Sequence, residues 1–272
     1  LGKIEIRGSD AAEFLNRIYT NAWSKLEINR CRYGLMLGDD GMVMDDGVSS
    51  RLSENHYYMT TTTGGAAHVL AWMERWHQTE WPELKVYFTS VTDRWAVASI
   101  AGPNSRLLLG QLCSDIDLSV DAFPFMSLRE GTVAGITARV FRISFSGELA
   151  YEINVPAGYA RAFADHLMGV GEAFGVTPYG SEALDVMRIE KGHVTAKELN
   201  GQTTPHDLGL GRMVSQKKDY IGRFLSGRPG MIEANRQRIF GLVPERAGAR
   251  LFAGAHLVGP GKSAIAKNDE GF

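Results

Sequence analysis

The sequence predicts a mixed α+β fold. Runs with strand alternation and runs with helical spacing are interspersed along its 272 residues. They show no regular strand–helix–strand rhythm, which argues against a doubly wound parallel sheet. Glycine makes up 31 of the 272 residues, roughly 11% against an average near 7%, so turns and close backbone approaches are frequent. Hydrophobic residues are 44% and charged residues 22%, ordinary values for a chain that buries a core. At roughly 100–200 residues per domain, the length suits one large domain or two to three small ones.

Composition also excludes several function classes. Lys and Arg number 29 against 31 Asp and Glu, a net charge of −2, whereas a nucleic-acid-binding chain carries a basic excess. No apolar stretch reaches the ~18 residues of a membrane span. Cys31 and Cys113 are the only cysteines, too few for a disulfide scaffold or a cysteine zinc site and in keeping with a reducing, cytoplasmic location. The chain opens at Leu1 without an initiator Met and closes on NDEGF. It is therefore expected to be a piece of something larger.

The elements follow in order. GKIEIRGSDAAEFLNRIYTN reads as a strand, Lys3 to Arg7, then a helix capped by Ser9 with Phe14, Leu15, Ile18 and Tyr19 at helical spacing. RYGLMLGDDGMVMDDGVSS is two apolar runs around Gly38-Asp39-Asp40-Gly41, a hairpin signal. A strand from Tyr57 to Thr61 leads to a helix beginning at Thr63 or Gly64, with Val69, Leu70, Met73 and Trp76 on one face. WAVASI is a strand, SRLLLGQL a helix capped by Asn104, and ARVFRISF and AYEINVP are two further strands. A helix carrying Phe163, Leu167 and Val170 follows, then another from about Ser181 to Lys191. The stretch from Ser226 to Arg238 is the best boundary, and QRIFGLVP, AHLVG and SAIAK beyond it read as short strands opening a small β-barrel.

Two places offer chemistry. Strand alternation in DGMVMDDGV sets Met42, Met44 and Asp46 on one face and Val43 and Asp45 on the other. With Asp39-Asp40 at the turn, position 33 pairs with 46; with Asp40-Gly41 there, 35 pairs with 46 and Tyr33 becomes a diagonal neighbour. Either register keeps Tyr33, Leu35, Met42, Met44 and Asp46 on a common face. Asp46 is then either a carboxylate on a wet face, or one held among aromatic and Met side chains to meet a cationic or hydrogen-bonding group. Asp45 reads as structural, and Asp39 and Asp40 as turn formers. In SFSGELAYEINVP, Glu152 and Asn154 share a face opposite Tyr151, Ile153 and Val155. Glu152 is either a solvated side chain or a carboxylate placed to accept two parallel N–H donors, and Phe145 offers a flat surface to a ring or belongs to the core.

Common reaction motifs are missing. The sequence holds no G-x-G-x-x-G after a strand, no phosphate loop, no H-E-x-x-H and no G-x-S-x-G. Its seven histidines lack metal-ligand spacing. No metal is expected.

Taken in order, these segments resemble the glycine-cleavage T-protein (aminomethyltransferase) superfamily. YGLMLGDDGMVMDDGV is similar to its first signature, a tyrosine thirteen residues before the second Asp of an Asp-Asp pair. FSGELAYEINVP is similar to its second, Y-T-G-E-x-G-[YFW]-E, with Phe145 where many relatives have Tyr. DVMRIEKG and TTPHDLGLGRMVSQKKDYIGR resemble two later landmarks, with Leu184 where the T-protein has an Arg. TTTTGGAAHVLAWMERWHQTEWP and KVYFTSVTDRWAVASIAGP resemble the folate-binding part of the α-subunit family of heterotetrameric sarcosine oxidases.

The resemblance implies a three-domain cloverleaf with a central folate channel and a C-terminal β-barrel. It divides the chain into a folate-binding part over 1–60, a second α+β subdomain over 61–135, a further folate-binding part over 136–228 and a truncated barrel over 229–272. It implies tetrahydrofolate as cofactor, with Asp46 catalytic, Glu152 on the pterin's N–H and amino groups, and Tyr33 and Phe145 lining the pterin. The reaction implied is transfer of the carbon released by sarcosine oxidation, giving 5,10-methylenetetrahydrofolate and glycine. FAD, FMN and NAD are implied elsewhere in the full complex, as are β, γ and δ subunits as partners. A folate domain of the dimethylglycine dehydrogenase kind and a non-catalytic folate-binding module are the alternatives.

Overall fold

In the computed structural model, described for residues 1–246, 248–252 and 254–255, the chain forms two units, Leu1–Ile239 and Phe240–Phe272. The first unit contains two antiparallel sheets. Strands β1 (Gly2–Arg7), β2 (Cys31–Leu37), β3 (Val43–Ser53), β4 (His56–Thr61) and β5 (Tyr87–Ser90) make a five-stranded sheet in the order β2-β3-β4-β1-β5. Strands β6 (Trp95–Ala101), β7 (Ser127–Val133), β8 (Ile136–Arg142) and β9 (Ala150–Pro156) make a four-stranded sheet in the order β6-β9-β8-β7.

Each sheet buries one face under helices. Helix α1 (Ala11–Ile18) is strongly amphipathic because Ala11, Phe14, Leu15 and Ile18 recur at helical spacing, and all four are buried. Helix α2 (Ala66–Thr79) adds Val69 and Met73, and the two helices close a core with Ile4, Ile6, Trp23 and Tyr57. Helices α3 (Ser105–Leu112) and α4 (Ala160–Gly171) do the same for the second sheet through Leu108, Leu109, Phe163 and Leu167, which meet Val140, Tyr151 and Ile153. Helix α5 (Ser181–Lys191) buries only Arg188 and ends on Gly192, whose φ of 81° supplies the left-handed stop.

The two sheets are joined by a third core and by polar contacts. Tyr58, Trp95, Leu128 and Phe141 pack together, and the Tyr58 hydroxyl donates to Asn154 Oδ1 at 2.9 Å. Glu5 accepts from Arg139 at 2.8 Å, and the Arg139 guanidinium lies 4.6 Å from the Trp95 ring. Among the described residues no helix is long and apolar enough to cross a membrane.

Several local expectations are corrected. Helix α1 is preceded by Asp10 rather than capped by Ser9: the Asp10 carboxylate accepts from the Lys85 N–H at 2.7 Å instead. Helix α2 starts at Ala66, because Thr62 to Gly65 form a turn closed by a Gly65 N–H to Thr62 carbonyl bond. The Asn104 side chain makes no cap; its amide donates to the Phe174 carbonyl. QRIFGLVP contains no strand, and only the Ile239 N–H is tied down, to the Asp207 carbonyl. AHLVG beyond Ala255 and all of SAIAK lie outside the described residues. Strands β5 and β7 are additions that the sequence patterning did not predict.

Candidate functional site

The β2–β3 hairpin sets the first part of the site. Its tip is a three-residue loop, Asp39-Asp40-Gly41, closed by a bond from the Gly38 N–H to the Met42 carbonyl at 2.9 Å. Gly41 takes the left-handed position at φ 88°. A bulge between Met36 and Leu37 then shifts the register. Leu35 therefore faces Asp46 and Tyr33 faces Val48, the pairing expected for a turn at Asp40-Gly41 but reached by a longer loop and a bulge. The bulge also changes which side chains share a face. Val43 packs with Leu35 and Leu37, on the side of Asp46, while Met44 packs against the core of α1 and α2. This corrects the expected grouping of Met44 with Asp46.

Asp46 is half-buried, between the two settings open to it. The Tyr33 hydroxyl, one diagonal step away, donates to Asp46 Oδ2 at 2.5 Å. Burial raises the Asp46 carboxyl above its ordinary value, opposed by that hydrogen bond and by the charge of His193. Burial, then the Asp46 charge, drive the Tyr33 phenol far above its ordinary range. Tyr33 thus stays a proton donor to the carboxylate. Asp45, on the other face, accepts from the Thr62 hydroxyl at 2.6 Å and from the Thr62 N–H at 3.3 Å. It ties β3 to the turn before α2, and burial pushes it up to about 7.

Strand β9 brings the second carboxylate. Glu152 sits opposite Ser99 and Phe141 in its ladders, between the buried Tyr151 and Ile153. It lines a small cleft with Val48, Ser50, Thr60, Ile143 and Asn154, formed where the two sheets approach. Its carboxylate accepts no hydrogen bond from the described residues, and burial pushes it up to about 7. The charges of the Leu1 ammonium and of Lys3 oppose that rise.

The remaining residues complete the surface. Phe145, in the loop between β8 and β9, is 38% exposed. Its ring stacks on His193, centroids 5.7 Å apart at 25°, and its carbonyl lies 2.9 Å from His193 Nδ1. His193 was not singled out from sequence; a lone histidine after RIEKG carries no spacing signal. It is held by Arg188, the buried residue of α5, which bonds the His193 carbonyl at 3.2 Å, Asp185 at 2.7 Å and Glu198 at 2.9 Å. Tyr33 and Asp46 are hydrogen-bonded to each other, and Phe145 stacks on His193. Glu152 lines a different cleft, whose wall includes Val48, the strand partner of Tyr33.

A family model described as "GCVT N-terminal domain" matches residues 1–218. The chain belongs to this family. It is 49% identical over 275 residues to the sarcosine oxidase subunit alpha of Rhizobium meliloti (strain 1021), covering all of this chain and 28% of that subunit. It is 32% identical over 270 residues to the aminomethyltransferase of Streptomyces coelicolor, covering 95% of this chain and 70% of that enzyme. The glycine cleavage system aminomethyltransferase T from Bartonella henselae superposes with a TM-score of 0.71 at 24% identity, over 82% of this chain and 59% of that one. The GCVT fold is therefore present here. The chain spans only 27–28% of the sarcosine oxidase subunits it matches.

Proposed function

We propose that this GCVT-family chain binds tetrahydrofolate and passes a one-carbon unit to it, as the folate-binding part of a sarcosine oxidase α subunit. The observation that carries the reading is Asp46, a half-buried carboxylate fixed by the Tyr33 hydroxyl at 2.5 Å, together with a second half-buried carboxylate, Glu152, in the cleft walled by Val48, the strand partner of Tyr33. Similarity to sarcosine oxidase α subunits and to aminomethyltransferases supports it.

The residues suit the ligand. Glu152 offers two oxygens to the paired N–H donors of an aminopyrimidinone ring, and the exposed face of Phe145 offers it a flat apolar surface. When bound, tetrahydrofolate supplies the nitrogen nucleophiles that accept the carbon, the product being 5,10-methylenetetrahydrofolate with release of glycine. Asp46 holds a fixed negative charge where cationic nitrogen develops, and takes or returns a proton at a carboxylate oxygen. Tyr33 keeps that carboxylate oriented. Both carboxylates are half-buried, which limits the water that would turn a one-carbon electrophile into formaldehyde. Sarcosine oxidation, with FAD, FMN and NAD and with β, γ and δ subunits, belongs to the rest of the proposed complex.

The test is titration of the chain with tetrahydrofolate in a calorimeter, and product analysis of the assembled complex. Glu152→Ala should weaken tetrahydrofolate binding at least tenfold. Asp46→Ala should abolish methylenetetrahydrofolate formation while formaldehyde release by the complex continues. Equal product yield from the Asp46 variant would overturn the assignment.

A further inference from the structure

A separate groove opens beside β2, the outermost strand of the five-stranded sheet, whose outer edge is bonded on either side of Tyr33 by the Thr20 N–H to the Leu35 carbonyl and the Cys31 N–H to the Met126 carbonyl. It is an open groove of about 380 Å³, lined by Asn21, Arg32, Tyr33, Arg212, Met213 and Ser215. That volume suits a small molecule. Its charged side chains are two arginines, and no carboxylate lines it. Among the described residues neither Arg32 nor Arg212 has an Asp or Glu oxygen within ion-pair distance. Arg32 is nevertheless held in place. It donates to the Ala22 carbonyl, and its guanidinium lies 5.8 Å from the Trp23 ring.

The strand edge adds a third donor. The Tyr33 carbonyl accepts from Asn21 Nδ2 at 2.7 Å, and the Val48 N–H donates to Thr60 Oγ1 and not across to Tyr33. Tyr33 and Val48 are therefore a non-hydrogen-bonded pair of the ladder, and the Tyr33 N–H points outward on the same edge as its carbonyl. Two guanidinium groups without a carboxylate partner and an outward N–H make a site suited to an anion.

We propose that this pocket is a carboxylate subsite, in which Arg32 and Arg212 grip a carboxylate beside Tyr33, the residue whose hydroxyl fixes Asp46. For the ligand's identity the proposal rests on the one-carbon transfer above. That reaction offers two sources, the amino acid released by the transfer and the glutamate end of the folate. Both carry the same group, and the subsite would hold either next to the carboxylate that does the chemistry.

Ligand-observed saturation-transfer NMR on the chain, with glycine, acetate, methylamine and p-aminobenzoylglutamate as probes, tests this. Saturable binding of acetate and at least one of the two larger acids, with none of methylamine, is expected. Arg212→Gln should weaken that binding about tenfold; Arg212 is exposed, so this variant leaves the fold intact even if Arg32→Gln does not. Tighter binding of p-aminobenzoylglutamate than of glycine assigns the subsite to the folate end, and the reverse assigns it to the amino acid. Absence of acid binding, or an Arg212→Gln affinity within twofold of the parent, overturns the proposal. Tetrahydrofolate titrated in parallel against Glu152→Ala reports on the folate reading separately.

Discussion

Asp45 and Glu152 are carboxyl groups that burial pushes from 3.8 and 4.5 up to about 7. A carboxyl whose folded-state value lies above its unfolded one binds its proton more readily in the folded chain. Its contribution to stability is complete below the unfolded value and is lost as pH rises through the folded one. Thermal melts should therefore show Tm falling between pH 5 and pH 7.5. Glu152→Gln, which removes one titration, should reduce that fall by about 2 °C or more, given the ~2–4 °C that 1 kcal/mol moves a domain of this size. A fall of the same size in the variant contradicts the burial of Glu152. For Asp46 the prediction is kinetic. Tyr33→Phe removes a hydrogen bond to the charged form, and such bonds are worth about 1.5–3 kcal/mol, one to two pH units. Losing it raises the Asp46 carboxyl further, so the acid limb of the transfer rate should move to higher pH by about one unit.

At the scale of elements, the hairpin that carries Asp46 is fixed by its neighbours as much as by its turn. Gly47 lies so near β4 that a Cβ there would sit 1.9 Å from the Thr60 carbonyl oxygen. Gly47→Ala should cost about 3 kcal/mol, at the upper end for overpacking, read as a drop in urea midpoint. At the other side, the Lys218 ammonium reaches the carbonyls of Asn16 and Tyr19 at the C-terminal end of α1, and burial pushes it down to about 8. Lys218→Met leaves those carbonyls without their charged donor and should cost about 2 kcal/mol. The elements themselves were largely legible. AYEINVP is β9 and the segment from Ser181 to Lys191 is α5, because each carries its period cleanly. Tyr87–Ser90 is too short to show alternation, and Ser127–Val133 has Arg, Glu and Gly in its middle. Both strands form because neighbouring strands supply hydrogen-bond partners, a non-local cause.

For the whole molecule, the joint between the two sheets is ionic as well as apolar. Glu5 and Arg139 have side chains 8% and 11% exposed, and contacts from His56, Arg139 and Arg7 hold Glu5 well below the usual carboxylate range despite burial. Arg139→Met strands a buried carboxylate and should cost about 3 kcal/mol or more. Pairing it with Glu5→Gln should recover part of that loss, which a double-mutant denaturation series measures. The sequence by itself determined the α+β class, most elements, the shared face of Tyr33 and Asp46, and the four ordered signatures, since these depend on local period and residue type. Only the tertiary structure decided the Leu35–Asp46 register, because a bulge and the docking of Gly222 and Ser226 on the hairpin tip choose between two turns of equal local merit. It alone brought Glu152 into a narrow cleft against β3 and β4 and set His193 against Phe145. Burial and long-range contact belong to the packed chain, and a single strand's pattern does not contain them.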